Sequence, residues 1–400
     1  MIRTSPFHQR TSALNETGLW SHWAGRLAVE KYQLSEKAEY VSVRNAAGIT
    51  DVSPLFKYRF SGPGAETFLG SVLARDPRVL APGDAHYTLW CDDRGFLVED
   101  GVLLRHAVDD FVLTAAEPNL AYFADLVRPR DRVTIEDVSD AWAVLALQGP
   151  RSRMLLERLD KGIGKLAFFG HGKAKIGGHT VSVSRTGFTG DLGYEIWCRA
   201  EDALDTWDAA WEATRGYGVV PFGLQALYMT RIEAGLLLLD VDFSNSRFAW
   251  TDADRATPVE LGLGWMLRGI EADDRRFPGR AAILGEITGR TSRFRTTGIV
   301  VDYKDWNRRH DEAGLVPPMD HAPVQEEQYL YDDEGTQIGR ATSFMYSPVL
   351  QRHIGIARVP VASAIPGSKV NLEIPINHRY VHVAAATARL PHYNPQRKTA

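Results

Sequence analysis

Only two cysteines occur in the 400 residues, Cys91 and Cys198, far apart and each inside a strand-like run (TLWCDD and YEIWCRA). So few offer no disulfide framework of the secreted kind, and without a CxxC pair they offer no thiolate metal site. Long apolar runs are missing as well: none approaches the ~20 residues a membrane helix needs. The opening, MIRTSPFHQRTSALNETGLW, is polar and lacks a continuous apolar stretch, so it does not read as a signal peptide. There is no excess of one charge. The 46 basic and 50 acidic residues leave a formal −4, which gives no electrostatic footprint for nucleic acid or an anionic membrane. These absences predict a soluble, cytoplasmic chain with neither nucleic acid nor membrane as partner.

Motifs that carry common chemistries are also lacking. There is no GxxxxGK[ST], no GxGxxG after a strand, no HExxH and no GxSxG. The 12 histidines show no metal-ligand spacing, so no metal is expected. Chemistry must then come through an organic cofactor or through carboxylates.

What is present is a mixed α+β pattern without a βαβ rhythm. A chain of 400 residues, 44% hydrophobic, predicts two or three domains. Residues 64–76 place Phe68, Leu69, Val72 and Leu73 on one helical face, and further helices are predicted over 117–127, 150–159, 201–215 and 222–235. Strands are predicted over 85–91, 96–104, 110–115, 141–147, 172–186 and 193–198, separated by turn residues such as Asp92-Asp93-Arg94-Gly95. From about 292 the chain turns to short strands punctuated by Gly and Pro, which predicts a small all-β barrel. The polar stretch 304–324 (KDWNRRHDEAGLVPPMDHAPV) reads as a long surface loop.

Several blocks then fall into one order. SVRNAAGITDVSPLFKYRFSGPGAETFL (42–69), DDRGFLVEDGVLLR (92–105), LALQGP (145–150), SRTGFTGDLGYEIW (184–197), RIEAGLLLLDVDF (231–243), TPVELGLGW (257–265), FPGRAAI (277–283) and EGTQIGRATS (334–343) are collinear across nearly the whole chain. Together the blocks resemble the glycine cleavage system T-protein (aminomethyltransferase) family, which includes related tetrahydrofolate-dependent demethylases. SRTGFTGDLGYEI is the most specific, being close to that family's "SRTGYTGEDGFEI". The resemblance implies an α+β fold with two mixed α/β lobes and a C-terminal β-barrel around a central folate pocket. On that template residues 1–41 form an N-terminal extension packed on the first lobe. The lobes are 42–150 and 151–290, and the barrel domain is 291–400.

The resemblance also assigns residues. Glu195, in GYEI, stands where the family places its pterin-binding carboxylate; a pterin presents a ring N–H beside an amino group, a pair of donors that a carboxylate accepts together. Asp100 aligns with the family's catalytic acid, suited to orienting the folate N5 and managing charge or a proton during carbon transfer. Its neighbour Glu99 must point to the other face of the strand. Arg231 matches an arginine near folate and substrate, Tyr87 an aromatic lining the pterin, and Tyr194 could contribute similarly. Arg185 is expected to anchor its loop.

The pattern breaks at the substrate end. Where the family reads "ARDSLRLEAG" this chain has ALYMTRIEAG, with Leu227 and Tyr228 in place of the Arg-Asp pair, and the family's asparagine after "VVSNA" is Ala116. Tyr228 becomes a candidate donor-site acid or contact. Three readings stay open. One is transfer of a methyl or aminomethyl-derived carbon from a small methylated donor to tetrahydrofolate. A second is aminomethyl transfer from a lipoyl carrier protein. The third is a non-catalytic folate-binding assembly factor, whose KGCY/F-like signature this chain lacks.

Overall fold

A computed structural model describes residues 3–318 and 321–400. The chain opens with helix α1 (His8–Leu14), a hairpin of β1 (Trp20–Trp23) and β2 (Arg26–Val29), and helix α2 (Glu36–Asn45). Glu36 and Glu39 in the first turn of α2 and Arg44 in the last complement the helix dipole. Next come β3 (Gly48–Asp51), β4 (Phe56–Ser61), α3 (Ala65–Gly70), β5 (Ala85–Cys91), β6 (Leu97–Ala107), β7 (Asp110–Ala115), α4 (Leu120–Leu126), β8 (Thr134–Asp137) and β9 (Trp142–Gln148). The middle holds α5 (Ser152–Leu159), β10 (His171–Ile176), β11 (His179–Ser184), β12 (Gly193–Arg199), α6 (Ala203–Thr214), β13 (Val220–Pro221) and α7 (Leu224–Glu233). The last third contains α8 (Arg280–Gly289), β14 (Arg295–Val301), α9 (Tyr303–Glu312), β15 (Gln328–Tyr331), β16 (Gln337–Ser347), β17 (Arg352–Val359), β18 (Lys369–Ile376) and β19 (Arg379–Ala388).

Two open sheets and a barrel result. The first sheet runs β5-β6-β7-β4-β8, the second β10-β11-β12-β9-β3-β13, and β14-β17-β16-β15-β18-β19 close the barrel. The β-rich third expected from about 292 is thus a closed six-stranded barrel. Strand alternation sorts each open sheet into two faces. One face of the first sheet buries Tyr58, Phe60, Leu103, Phe111 and Leu113 with Phe68, Leu69 and Phe123 from α3 and α4. One face of the second buries Leu145, Leu147, Val183, Tyr194 and Ile196 with Leu155 and Trp207 from α5 and α6. The remaining faces meet each other: Ala85, Leu104 and Val112 pack with Val144, Ala146 and Trp197. That seam between the sheets is where a site can form.

Several expectations need correction. The sheets do not follow the division at residue 150, because β3 and β9 pair with each other and β9 with β12, so both belong to the second sheet. Residues 1–41 do reach 42–150, through Arg3 and Arg26 on Asp140, but the start of the chain around α1 rests on α6 of the second lobe: Phe7 lies 5.6 Å from Trp207, and Arg10 pairs with Asp208 at 2.7 Å. The predicted strand 172–186 is a hairpin, turned at Gly177 and Gly178, both with positive φ. The helix predicted over 64–76 ends at Gly70.

The stretch 304–324 begins with α9, not a loop. Asp302 caps it by accepting from the Lys304 amide at 2.8 Å, and Trp306 and His310, one turn apart, are buried. Hydrophilic residues hid a helix whose contact stripe is only two side chains wide. Residues 319 and 320 of that stretch lie outside the described residues.

Candidate active site at the seam between the sheets

Adjacent carboxylates on β6 part ways, as alternation requires. Glu99 is fully buried and accepts from the amides of Ala116 and Glu117 and from the Asn119 side chain, closing the loop after β7. Burial, and then the negative charge of Asp100, hold its pKa well above the usual range. Asp100 points to the opposite face and accepts a hydrogen bond from the Tyr87 hydroxyl on β5. Burial pushes the Asp100 pKa up to about 6, against the pull of that bond. Tyr87 is itself positioned: its carbonyl accepts from Arg75 Nη1 at 3.0 Å and its ring lies 6.4 Å from that of Trp265.

Glu195 lies on β12, on the face that also carries Trp197 into the seam. Thr186 Oγ1 donates to Glu195 Oε2 at 2.6 Å and lies 2.7 Å from Ser184 Oγ. Burial raises the Glu195 pKa, while Thr186 and the charge of Lys57 lower it. The specific sequence block around Glu195 is explained by Gln148, at the end of β9. Gln148 Nε2 donates to the carbonyls of Thr186 (3.1 Å) and Tyr194 (3.3 Å), and Gln148 Oε1 accepts from Thr189 Oγ1 at 2.8 Å. Gly187 and Gly193 flank this amide so closely that a Cβ would lie 2.1 and 2.2 Å from its oxygen. LALQGP and SRTGFTGDLGYE are therefore one interlocked unit that holds Thr186 against Glu195. Arg185 anchors the same loop by donating to the carbonyls of Leu166 (3.2 Å), Lys398 (3.1 Å) and Ala400 (2.6 Å).

Other sequence-assigned residues lie elsewhere. Tyr194 precedes Glu195 on the same strand and so faces away from the seam, fully buried, its hydroxyl donating to the Gly164 carbonyl at 3.4 Å and accepting from Arg153 Nε at 3.2 Å. The structure rules it out as a partner of Glu195 around one ligand. Arg231 is sunk in an ion pair with Asp242 at 2.5 Å and donates to Ser343 Oγ at 2.7 Å, tying α7 to β16. Its charge is spent on that link, which corrects its assignment to folate. Tyr228 is half-buried on α7 and lines a different, polar cleft near Glu30 and Gln225.

Lys57 was not legible. It lies between Phe56 and Tyr58 on β4, where nothing local singles it out, yet it is fully buried, donating to the carbonyls of Ser53 (2.9 Å) and Leu55 (2.7 Å). Burial pulls its pKa down to about 7, against the attraction of Asp51, Asp137 and Glu195.

The seam thus presents two carboxylates, Asp100 from one sheet and Glu195 from the other. Both are deep enough to have raised pKa values, yet each keeps accessible surface. Glu195 can take a paired-donor edge through oxygens that Thr186 only partly occupies. Asp100 can hold or release a proton near neutral pH. That donor and acceptor set fits a reduced pterin. Among the described residues, no group of three or more His, Cys, Asp or Glu could hold a metal ion, and no helix is long and apolar enough to cross a membrane.

Comparison with known proteins places the chain in a family. The family model for the GCVT N-terminal domain matches residues 10–269, and that for the glycine cleavage T-protein C-terminal barrel domain matches 313–394. An aminomethyltransferase of Parafrankia sp. (strain EAN1pec) is 32% identical over 93% of this chain and 94% of its own. The gamma subunit of a heme-dependent oxidative N-demethylase from Ectopseudomonas mendocina is 30% identical over 97% of each. The crystal structure of the glycine cleavage system aminomethyltransferase T from Bartonella henselae has the same fold, with a TM-score of 0.82 at 23% identity over 98% of this chain and 99% of that one. The chain belongs to the glycine cleavage T-protein family, whose members bind tetrahydrofolate, and is an enzyme that transfers one-carbon groups.

Proposed function

We propose that this enzyme takes its one-carbon unit from a small methylated donor, in the manner of a demethylase, and passes it to tetrahydrofolate. The observation that carries this reading is the change at 227–228. The Arg-Asp charge pair of the resembling sequences is replaced by Leu227, buried among apolar neighbours, and by Tyr228, which faces a polar cleft. A carrier-borne aminomethyl group and a free methylated amine need different surroundings, and a change confined to the donor end alters which one is accepted. The likeness to a subunit named as part of an N-demethylase points the same way. The name of the Parafrankia relative favours the competing reading, aminomethyl transfer from a lipoyl carrier.

Tetrahydrofolate supplies the nucleophilic nitrogen that accepts the carbon. In this reading Glu195 grips the hydrogen-bonding edge of the pterin and Thr186 fixes the Glu195 rotamer. Asp100, oriented by Tyr87, takes up the proton released as the carbon is transferred. The two free, buried cysteines are in keeping with a reducing cytoplasm.

The test is to incubate the protein with tetrahydrofolate and candidate donors and identify the folate product by mass. Product formed from a methylated small molecule without carrier supports the proposal. Turnover that depends on a lipoyl carrier overturns it.

A further inference from the structure

Apart from the seam, a cleft of about 340 Å³ opens between the β1–β2 hairpin, α7 and the segment 323–326. Glu30 and Glu326 supply carboxylates to its lining, Gln225, Gln325, Tyr228 and His22 supply uncharged or titratable polar groups, and no lysine or arginine is among its described lining residues.

Glu30 is held rather than neutralised. Ser21 Oγ donates to one of its oxygens and Gln225 Nε2 to the other, both uncharged donors, and among the described residues Glu30 has no ion pair. Because its amide nitrogen is spent on Glu30, Gln225 is left with a buried Oε1 that has no hydrogen-bond partner among the described residues. A half-buried carboxylate without a counter-ion beside an unsatisfied buried acceptor is a costly arrangement, and a cation bearing N–H or N–CH groups would relieve both deficits. Tyr228 adds an aromatic side chain to the lining, and an aromatic ring favours an alkylated ammonium over a hydrated one. The volume admits a ligand of a few heavy atoms with some water.

We propose that this cleft binds the ammonium group of a small methylated amine, with Glu30 as its counter-ion, Gln225 Oε1 as a second acceptor and Tyr228 as its aromatic wall. The inference rests on the demethylase-type reading and names its donor class. Placement is consistent with that role. Trp23, at the end of β1, packs both against the seam and against the apolar cluster of α7, so the hairpin is a wall shared by the two spaces.

The experiment is direct binding by the full chain without folate, read by calorimetry. Tetramethylammonium and trimethylammonium are the probes, and the uncharged alcohol 2-methylpropan-2-ol, of the same heavy-atom count and shape as tetramethylammonium, is the control. The wild type is expected to bind the cations at least about tenfold more tightly than the alcohol, Glu30→Gln to lose about tenfold, and Tyr228→Leu to lose several-fold. Equal binding of cation and alcohol, no binding by wild type, or unchanged affinity in both variants would overturn the site. Should Glu30→Gln fold poorly by circular dichroism, Tyr228→Leu decides alone. Tetrahydrofolate is titrated separately. Its failure to bind would strike the one-carbon reading and leave the amine site standing, whereas intact folate binding with no amine binding removes this site alone.

Discussion

Thr186 Oγ1 sits 2.6 Å from Glu195 Oε2, and Gln148 reaches across from the neighbouring strand to hold the Thr186 carbonyl at 3.1 Å. The carboxylate of the proposed pterin site is thus aimed by a residue that is itself pinned by a second sheet strand. A site supported in this way should fail when its support is displaced, even where no ligand is touched.

Gly193→Ala tests that support. The added Cβ would lie 2.2 Å from Gln148 Oε1, whose amide is pinned by three hydrogen bonds and cannot swing aside freely. Overpacking of this kind costs about 1–3 kcal/mol. Chemical denaturation should show that loss, and the double variant with Gln148→Ala should lose less than the sum of the two singles.

Asp100→Asn separates stability from activity. The folded-state pKa of Asp100, about 6, lies above the ordinary value for an unfolded aspartate, so the folded state holds the proton more firmly. The resulting stabilisation is fully present below about pH 4 and is lost as pH rises through about 6. The asparagine variant should therefore be more stable than wild type at pH 8, by on the order of 1 kcal/mol, with the difference vanishing near pH 4. Thermal unfolding across that range checks the sign. Turnover should fall about 10²–10⁴-fold, with folate binding retained.

Tyr87→Phe removes the donor that lowers the Asp100 pKa. The acidic limb of the kcat/KM profile, set near pH 6 by a base that must be ionised, should move to higher pH. An unmoved limb would detach Asp100 from the rate.

Arg231→Met should destabilise the whole chain rather than weaken folate selectively. It would leave Asp242 buried without its cation, and breaking a buried pair of this kind costs about 3–5 kcal/mol. A lower melting temperature with folate affinity unchanged in the surviving folded fraction is expected. Normal melting with lost affinity would restore Arg231 to the binding site.

The sequence was most readable where local rules decide. Alternation along VEDG separated Glu99 from Asp100 correctly because a strand leaves only two faces, and the Gly- and Pro-punctuated strands after 292 closed into the barrel they suggested. It was least readable where partners are remote. Nothing local shows that β3 and β9 join β12, or that Asp242 waits 11 residues along the chain to claim Arg231. Nothing along the sequence singles out Lys57, a lysine between apolar neighbours on one strand. Its burial comes from the second sheet, which no window along β4 contains. Tyr194 was assigned by proximity to Glu195 in a motif, although the same alternation that sorted Glu99 from Asp100 separates these two.

The most direct test compares Glu195→Gln with Tyr194→Phe in calorimetric titrations with tetrahydrofolate. Glu195→Gln replaces one of the acceptor oxygens with a donor at the seam, so it should lose at least about 100-fold in affinity, whereas Tyr194→Phe, one residue away on the opposite face, should bind like wild type. If the glutamine variant keeps wild-type affinity, a carboxylate grip on the pterin is not what holds the folate here.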